Sequence, residues 1–171
     1  MFRTYPLSIL ILVFLLISCA KDQKIETNHY TVSIPSNWTF STRDSASPKA
    51  EGLFFENKDY TNVGMLTISE SPNIPDETIQ DYVSHSPSPQ FEDFKVAGEI
   101  YTITFLGEQA RACDFKFSIK GYPFRGTFYC FRKDGYLVRV LSAYHTHVGQ
   151  SKLQKVWESF KWKTNKEGSV N

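Results

Sequence analysis

The stretch from Gln109 to Arg132 constrains this chain most. Apolar and polar residues alternate along it, apart from one interruption at Gly121. Cys113, Phe115, Phe117 and Ile119 fall on one face of the first run, and Phe124, Gly126, Phe128 and Cys130 on the same face of the second. Asp114, Lys116, Ser118 and Arg125 fall on the other face. A period of two is the mark of a half-buried strand. Two such runs meeting at a glycine read as an antiparallel hairpin. With the reversal centred between Gly121 and Tyr122, Lys120 stands opposite Pro123, Phe115 opposite Phe128, and Cys113 opposite Cys130. Directly paired residues lie within the Cα separation that a disulfide tolerates. A disulfide between Cys113 and Cys130 is therefore expected, closing a loop of about 17 residues and contributing roughly 3 kcal/mol. The alternative is two buried thiols acting as small apolar residues. Pro123 has no N–H, which argues for a loop wider than two residues.

The following turn, Lys133-Asp134-Gly135, admits two registers. A two-residue turn sets Cys130 opposite Arg139. A three-residue loop sets Cys130 opposite Val138 and Phe128 opposite Val140, and burial favours this second choice. Further strands are expected at Tyr30 to Ile34, Gly52 to Asn57, Val63 to Ser69, Val96 to Phe105 and Tyr136 to Tyr144. Pro75 to Ser84 reads as a helix, with Asp76 and Glu77 at the positive end of its dipole and Ile79, Tyr82 and Val83 on one face. A last helix within Val148 to Ser159 carries Leu153, Val156, Trp157 and Phe160 at the spacing of a buried stripe. Abundant aromatic residues suit strands packed on helices. The expected class is α+β, a central antiparallel sheet of about six strands with helices packed on its faces.

The N-terminal region follows a different logic. Arg3 precedes an almost unbroken apolar run, Leu7 to Ile17, and small residues close it at Ser18, Cys19 and Ala20. That is the build of a secretory signal. As a helix the run reaches about 21 Å, short of a hydrocarbon core of about 30 Å. A core helix would need a polar face, and ordinary cleavage would follow Ala20. Leu16-Ile17-Ser18-Cys19 resembles the lipobox of bacterial lipoproteins. The resemblance implies a cut before Cys19, diacylglycerol on its thiol and an acyl group on its new amino end. Two or more chains give lasting attachment, at about 0.8 kcal/mol per buried methylene. In the lipoprotein family, at least in enteric bacteria, Ala20 rather than Asp after the cysteine favours passage to the outer membrane, and the resemblance implies that destination here. The expected organisation is a signal over 1–18, a lipidated Cys19 with a polar tether over 19–29, one domain over 30–162, and a loose tail over 163–171.

Near-balanced charge, formally +1, offers no broad basic face for nucleic acid. His145 and His147 are a close histidine pair, but no third metal ligand stands near them in sequence. His29 and His85 read as linker and loop residues. The chain has no G-x-S-x-G elbow, P-loop, H-E-x-x-H or dinucleotide fingerprint. No catalytic, metal or cofactor site is expected, and the reading is non-enzymatic. Tyr101, Tyr122, Tyr129, Tyr136 and Tyr144 are candidates for a ligand groove or for core-edge residues with wet hydroxyls. Tyr129 and Phe131 lie on the face opposite Cys130, which is either covered by a helix or free to bind.

The order of these elements, with Ile34-Pro35 before Trp38, Gly107 with Ala110, and Ser159-Phe160 after the last helix, resembles the PsbP-like family, whose fold is shared with the Mog-type Ran-binding proteins. The resemblance implies an α/β/α sandwich and an accessory or binding role, and transfers no site residue. The expectation is a membrane-anchored envelope lipoprotein whose domain binds a protein or small ligand. A structural or surface-exposed lipoprotein without a ligand site, and a hydrolase, are the alternatives.

Overall fold

The computed structural model describes residues 21–44, 50–84 and 90–163. The apolar run, Cys19, His85 and most of the tail lie outside them. The strands are β1 (Gln23–Glu26), β2 (Tyr30–Ile34), β3 (Trp38–Asp44), β4 (Ala50–Asn57), β5 (Asn62–Ser69), β6 (Glu92–Val96), β7 (Tyr101–Phe105), β8 (Glu108–Ile119), β9 (Tyr122–Lys133), β10 (Tyr136–His145) and β11 (Lys161–Trp162). The helices are α1 (Pro75–Ser84) and α2 (Ser151–Glu158). An eight-stranded sheet runs β3-β4-β5-β10-β9-β8-β6, with β7 also paired to β8, and a three-stranded sheet runs β1-β2-β11. All the pairings are antiparallel.

Three two-residue turns set the register of the meander from β7 to β10. They are Leu106-Gly107, Lys120-Gly121 and Asp134-Gly135, and all six residues have positive φ, between 50° and 85°. Positive φ at both central positions is the signature of the type I′ turn, whose twist matches that of the strands it joins.

Both faces of the large sheet are covered, though not along their whole length. On one face Leu53, Phe55, Leu66, Ile68, Val138 and Val140 pack against Leu153, Val156 and Trp157 of α2 and against Tyr30, Val32 and Ile34 of β2. On the other, Cys113, Phe115, Phe117, Phe128 and Cys130 pack against Ile79 of α1, with Tyr82, Val83, Phe91 and Phe94 at the margin. The helical stripes thus pack as their spacing predicts.

The expected α/β/α sandwich is not what forms. The described residues contain two short helices, and one of the sheet faces is covered in large part by a second small sheet. Residues 23–26, which the sequence reading gives to the tether, form β1 and pair with β2. The expected long strand from Val96 to Phe105 is divided into β6 and β7, which both pair with β8 around a left-handed Gly98 (φ 114°).

The hairpin registers also differ. The turn at Lys120-Gly121 is one residue earlier than the assumed centre, so Cys113 faces Phe128 and Cys130 faces Arg111. The shift of two residues keeps every side chain on its expected face, but it separates the cysteines by one step along the strands. Both are free, buried thiols. Pro123 lies opposite Ser118, outside the turn, and needs no widened loop. At the next turn the two-residue form is adopted, with Cys130 opposite Arg139 and Phe131 opposite Val138. Burial did not discriminate because Leu137 and Val138 are both buried, on opposite faces of a central strand.

Candidate functional site

The face that carries Tyr129 and Phe131 changes character along the strands. Phe131, Val138 and Leu66 lie beneath the small sheet and α2. Beyond them come Asp114, Thr127 and Ser142, adjacent in register, and then Lys116, Arg125 and Tyr144. Alternation keeps all of them on one side of the sheet. Helix α2 stops short of this end, so the face is both covered and open, at different heights.

Two cavities occupy the open end. One, of about 590 Å³, lies between β7, β9 and α2, and is lined by Phe105, Leu106, Tyr129, Ser142, Trp157 and Phe160 among others. The second, of about 490 Å³, is lined by Tyr101, Asp114, Lys116, Arg125, Thr127 and Tyr144. Tyr129 and Gln150 line both, so the two form neighbouring parts of one groove. Each lies in the size range of small-molecule sites.

Hydrogen bonds hold the groove walls. The Trp157 indole N–H donates to Ser142 Oγ at 3.1 Å, anchoring α2 on β10. The Trp162 indole N–H donates to the Leu106 carbonyl at 2.9 Å. The Phe105 and Tyr129 rings stack at 3.8 Å. On the floor, Thr127 Oγ1 and the Tyr101 hydroxyl both donate to Asp114 Oδ1, at 2.6 Å and 3.0 Å. Burial, reinforced by the bond to Asp114, raises the Tyr101 phenol above its ordinary value. Burial also raises Tyr129. Both phenols are therefore neutral donors at physiological pH.

The residues singled out from sequence fall in different places. Tyr101, Tyr129 and Tyr144 meet in the groove. Tyr122 is exposed beside the β8–β9 turn, and Tyr136 stacks edge-on against His29, which approaches Glu51 at 3.8 Å. Cys113 and Cys130 sit on the far face of the sheet under α1, and burial pushes each thiol up to about 11. His145 Nδ1 accepts the His147 backbone N–H at 3.3 Å. Among the described residues, no group of three or more His, Cys, Asp or Glu is placed to hold a metal. Gln150, Thr127, Ser142 and Lys95 were not marked by the sequence.

No family model matches the chain, and no curated protein matches it. Solved structures do. Cyanobacterial PsbP (CyanoP) from Synechocystis sp. PCC 6803 aligns with a TM-score of 0.60 at 13% identity, over 86% of this chain and 96% of that one. A protein from Bacteroides thetaiotaomicron VPI-5482 aligns with a TM-score of 0.57 at 8% identity, over 85% of this chain. This chain spans 50% of the length of the Bacteroides protein. At these identities the likeness is one of fold. The fold is PsbP-like.

Proposed function

We propose that this chain is a membrane-anchored envelope lipoprotein whose domain is a non-catalytic binding or accessory module, with the groove beside α2 as its binding surface. One observation carries the binding role: the sheet face left open by α2 is concave and lined by hydroxyls, phenols and cations. Two groove hydroxyls are held by structural hydrogen bonds, Ser142 accepting from Trp157 and Thr127 donating to Asp114. This supports binding over group transfer. The anchor rests on the likeness of Leu16 to Cys19 to a lipobox. Strand β1 opens at Gln23, so a lipid on Cys19 would hold the domain within about 14 Å of the bilayer, at about 3.5 Å per residue.

Two measurements test this reading. Intact mass of the membrane-extracted protein should show acylation and a chain cut before Cys19. The Cys19→Ser variant should be unacylated and unprocessed, and normal processing of that variant would remove the anchor. A photo-crosslinking residue at Gln150 should give a discrete adduct in cells, and one at exposed Ile74, beside α1, should not. Equal adducts from both, or none from Gln150, would remove the groove as the binding face.

A further inference from the structure

The open end of the sheet carries a row of like charges. Lys116 is the register partner of Arg125 on β9 and of Lys95 on β6. Directly opposed residues of antiparallel strands share a face, and strands are about 4.8 Å apart. Three cationic side chains thus leave one face from adjacent backbone positions that span about 10 Å. Like charges placed directly opposite one another destabilise a sheet. Asp114 lies on the same face, two residues from Lys116, but forms no ion pair with the row. Among the described residues, none of the three makes an ion pair or a side-chain hydrogen bond.

Three carboxylates on this side of the sheet accept from neutral donors, and one of them, Asp114, lines the same cavity as Lys116 and Arg125. Asp114 Oδ1 accepts from Tyr101 and Thr127. Glu92 Oε2 accepts the Gly121 N–H at 3.3 Å, and Asp93 Oδ2 accepts from Ser118 at 3.3 Å. The row runs on into Tyr144, the partner of Arg125 on β10. Lys116, Arg125, Tyr144 and Tyr101 line the 490 Å³ cavity together. Gln150, at the rim, makes no side-chain cap to α2, and the first turn of α2 holds no acid. The positive end of α2 therefore adds to the potential instead of opposing it.

We infer that this end of the groove binds an oxyanion, the carboxylate or phosphate of a small molecule, between Arg125 and Lys116, with the ligand body against the Tyr101 and Tyr144 rings. The inference rests on the groove being the binding surface. The guanidinium fork suits a carboxylate or phosphate edge. Lys116 and Lys95 supply charge without fixed geometry. The cavity volume suits a metabolite-sized ligand better than a polymer.

The test uses the full-length protein, ¹⁵N-labelled and solubilised in a neutral detergent. Three probes of similar size are titrated: phenyl phosphate, benzoate and neutral benzyl alcohol. Either anion, or both, should produce saturable amide shifts centred on residues 101, 114–116, 125–127 and 144. The two anionic arms tell phosphate from carboxylate recognition. Lys116→Gln/Arg125→Gln should weaken the anion at least tenfold and leave its melting temperature no lower than the parent's. The single Lys95→Gln change, at an exposed edge, gives a milder version of the same test. Anion affinity that survives both variants, or shifts that map elsewhere, would overturn the inference. If benzyl alcohol saturates the groove as well as the anions do, the groove stands and its anion preference falls. If no probe binds, both fall.

Discussion

Phe115 lies directly opposite Gly126 across β8 and β9, and its ring fills the space of the missing side chain: a Cβ on Gly126 would stand 2.4 Å from Phe115 Cζ. The same device recurs on the other face. Phe55 is the register partner of Gly64, where a Cβ would stand 2.1 Å from Phe55 Cζ. The far end of each ring occupies the space above its glycine, which lets a large side chain fit a close cross-strand pair. Gly126→Ala should therefore destabilise the domain by about 1–3 kcal/mol through overpacking. Phe115→Leu introduced with it should recover part of the loss. Urea denaturation of the single and double variants checks this, and a neutral Gly126→Ala would contradict the ring placement.

The tight turns give a second expectation. Lys120 adopts a left-handed φ of 50° ahead of Gly121 at 77°. A side chain with a Cβ costs roughly 1–2 kcal/mol in that region, less for Asn. Lys120→Asn should raise stability by a few tenths to about 1 kcal/mol, and Gly121→Ala should lower it by about 1 kcal/mol. Thermal melts of the two variants should move in opposite directions. A wider loop with Lys120 outside the turn would leave both near zero.

The thiols give a dependence on pH. Burial pushes Cys113 and Cys130 from an ordinary 9.0 to about 11. The folded state thus holds these protons more tightly than the unfolded chain does. Their contribution is complete below about pH 9 and is lost as pH rises towards about 11. Stability should decline over that window, and less steeply in Cys113→Ala/Cys130→Ala. A thiol reagent at neutral pH should label neither cysteine in the folded protein and both after unfolding. Labelling that requires a reductant even in denaturant would show a disulfide.

The faces of the strands were legible in the sequence, and their partners were not. Alternation places Cys113, Phe115, Phe117, Phe124 and Phe128 under α1, and both helices follow from their stripes. Parity is unchanged by a slip of two residues, so hydrophobicity cannot choose between registers that differ by two. The turns choose, and each carries its signal in one glycine: Gly107, Gly121 and Gly135. The Cys–Cys pairing drew the middle turn one residue too late. That single slip also hid the site. It set Lys116 opposite Thr127 and Arg125 opposite Ser118, so two cations that face each other looked like scattered surface charge. Gln150 and Lys95 reach the site through tertiary packing and an irregular edge strand, which local pattern does not report.

The floor of the groove gives the last expectation. Tyr101 and Thr127 approach the same oxygen of Asp114 from β7 and β9. A hydrogen bond to a charged acceptor contributes about 1.5–3 kcal/mol, and removing one donor leaves the carboxylate partly unsatisfied. Tyr101→Phe and Thr127→Val should each destabilise by roughly 1 kcal/mol or more. Two donors on one oxygen are not independent, because each lessens what the other must supply. The double variant should therefore depart from the sum of the singles by at least about 0.5 kcal/mol. Denaturation of the four proteins in the cycle measures that coupling. Additivity within about 0.3 kcal/mol would mean that the two hydroxyls do not share Asp114, and the polar floor between the aromatic and basic parts of the groove would be less ordered than the hydrogen bonds indicate.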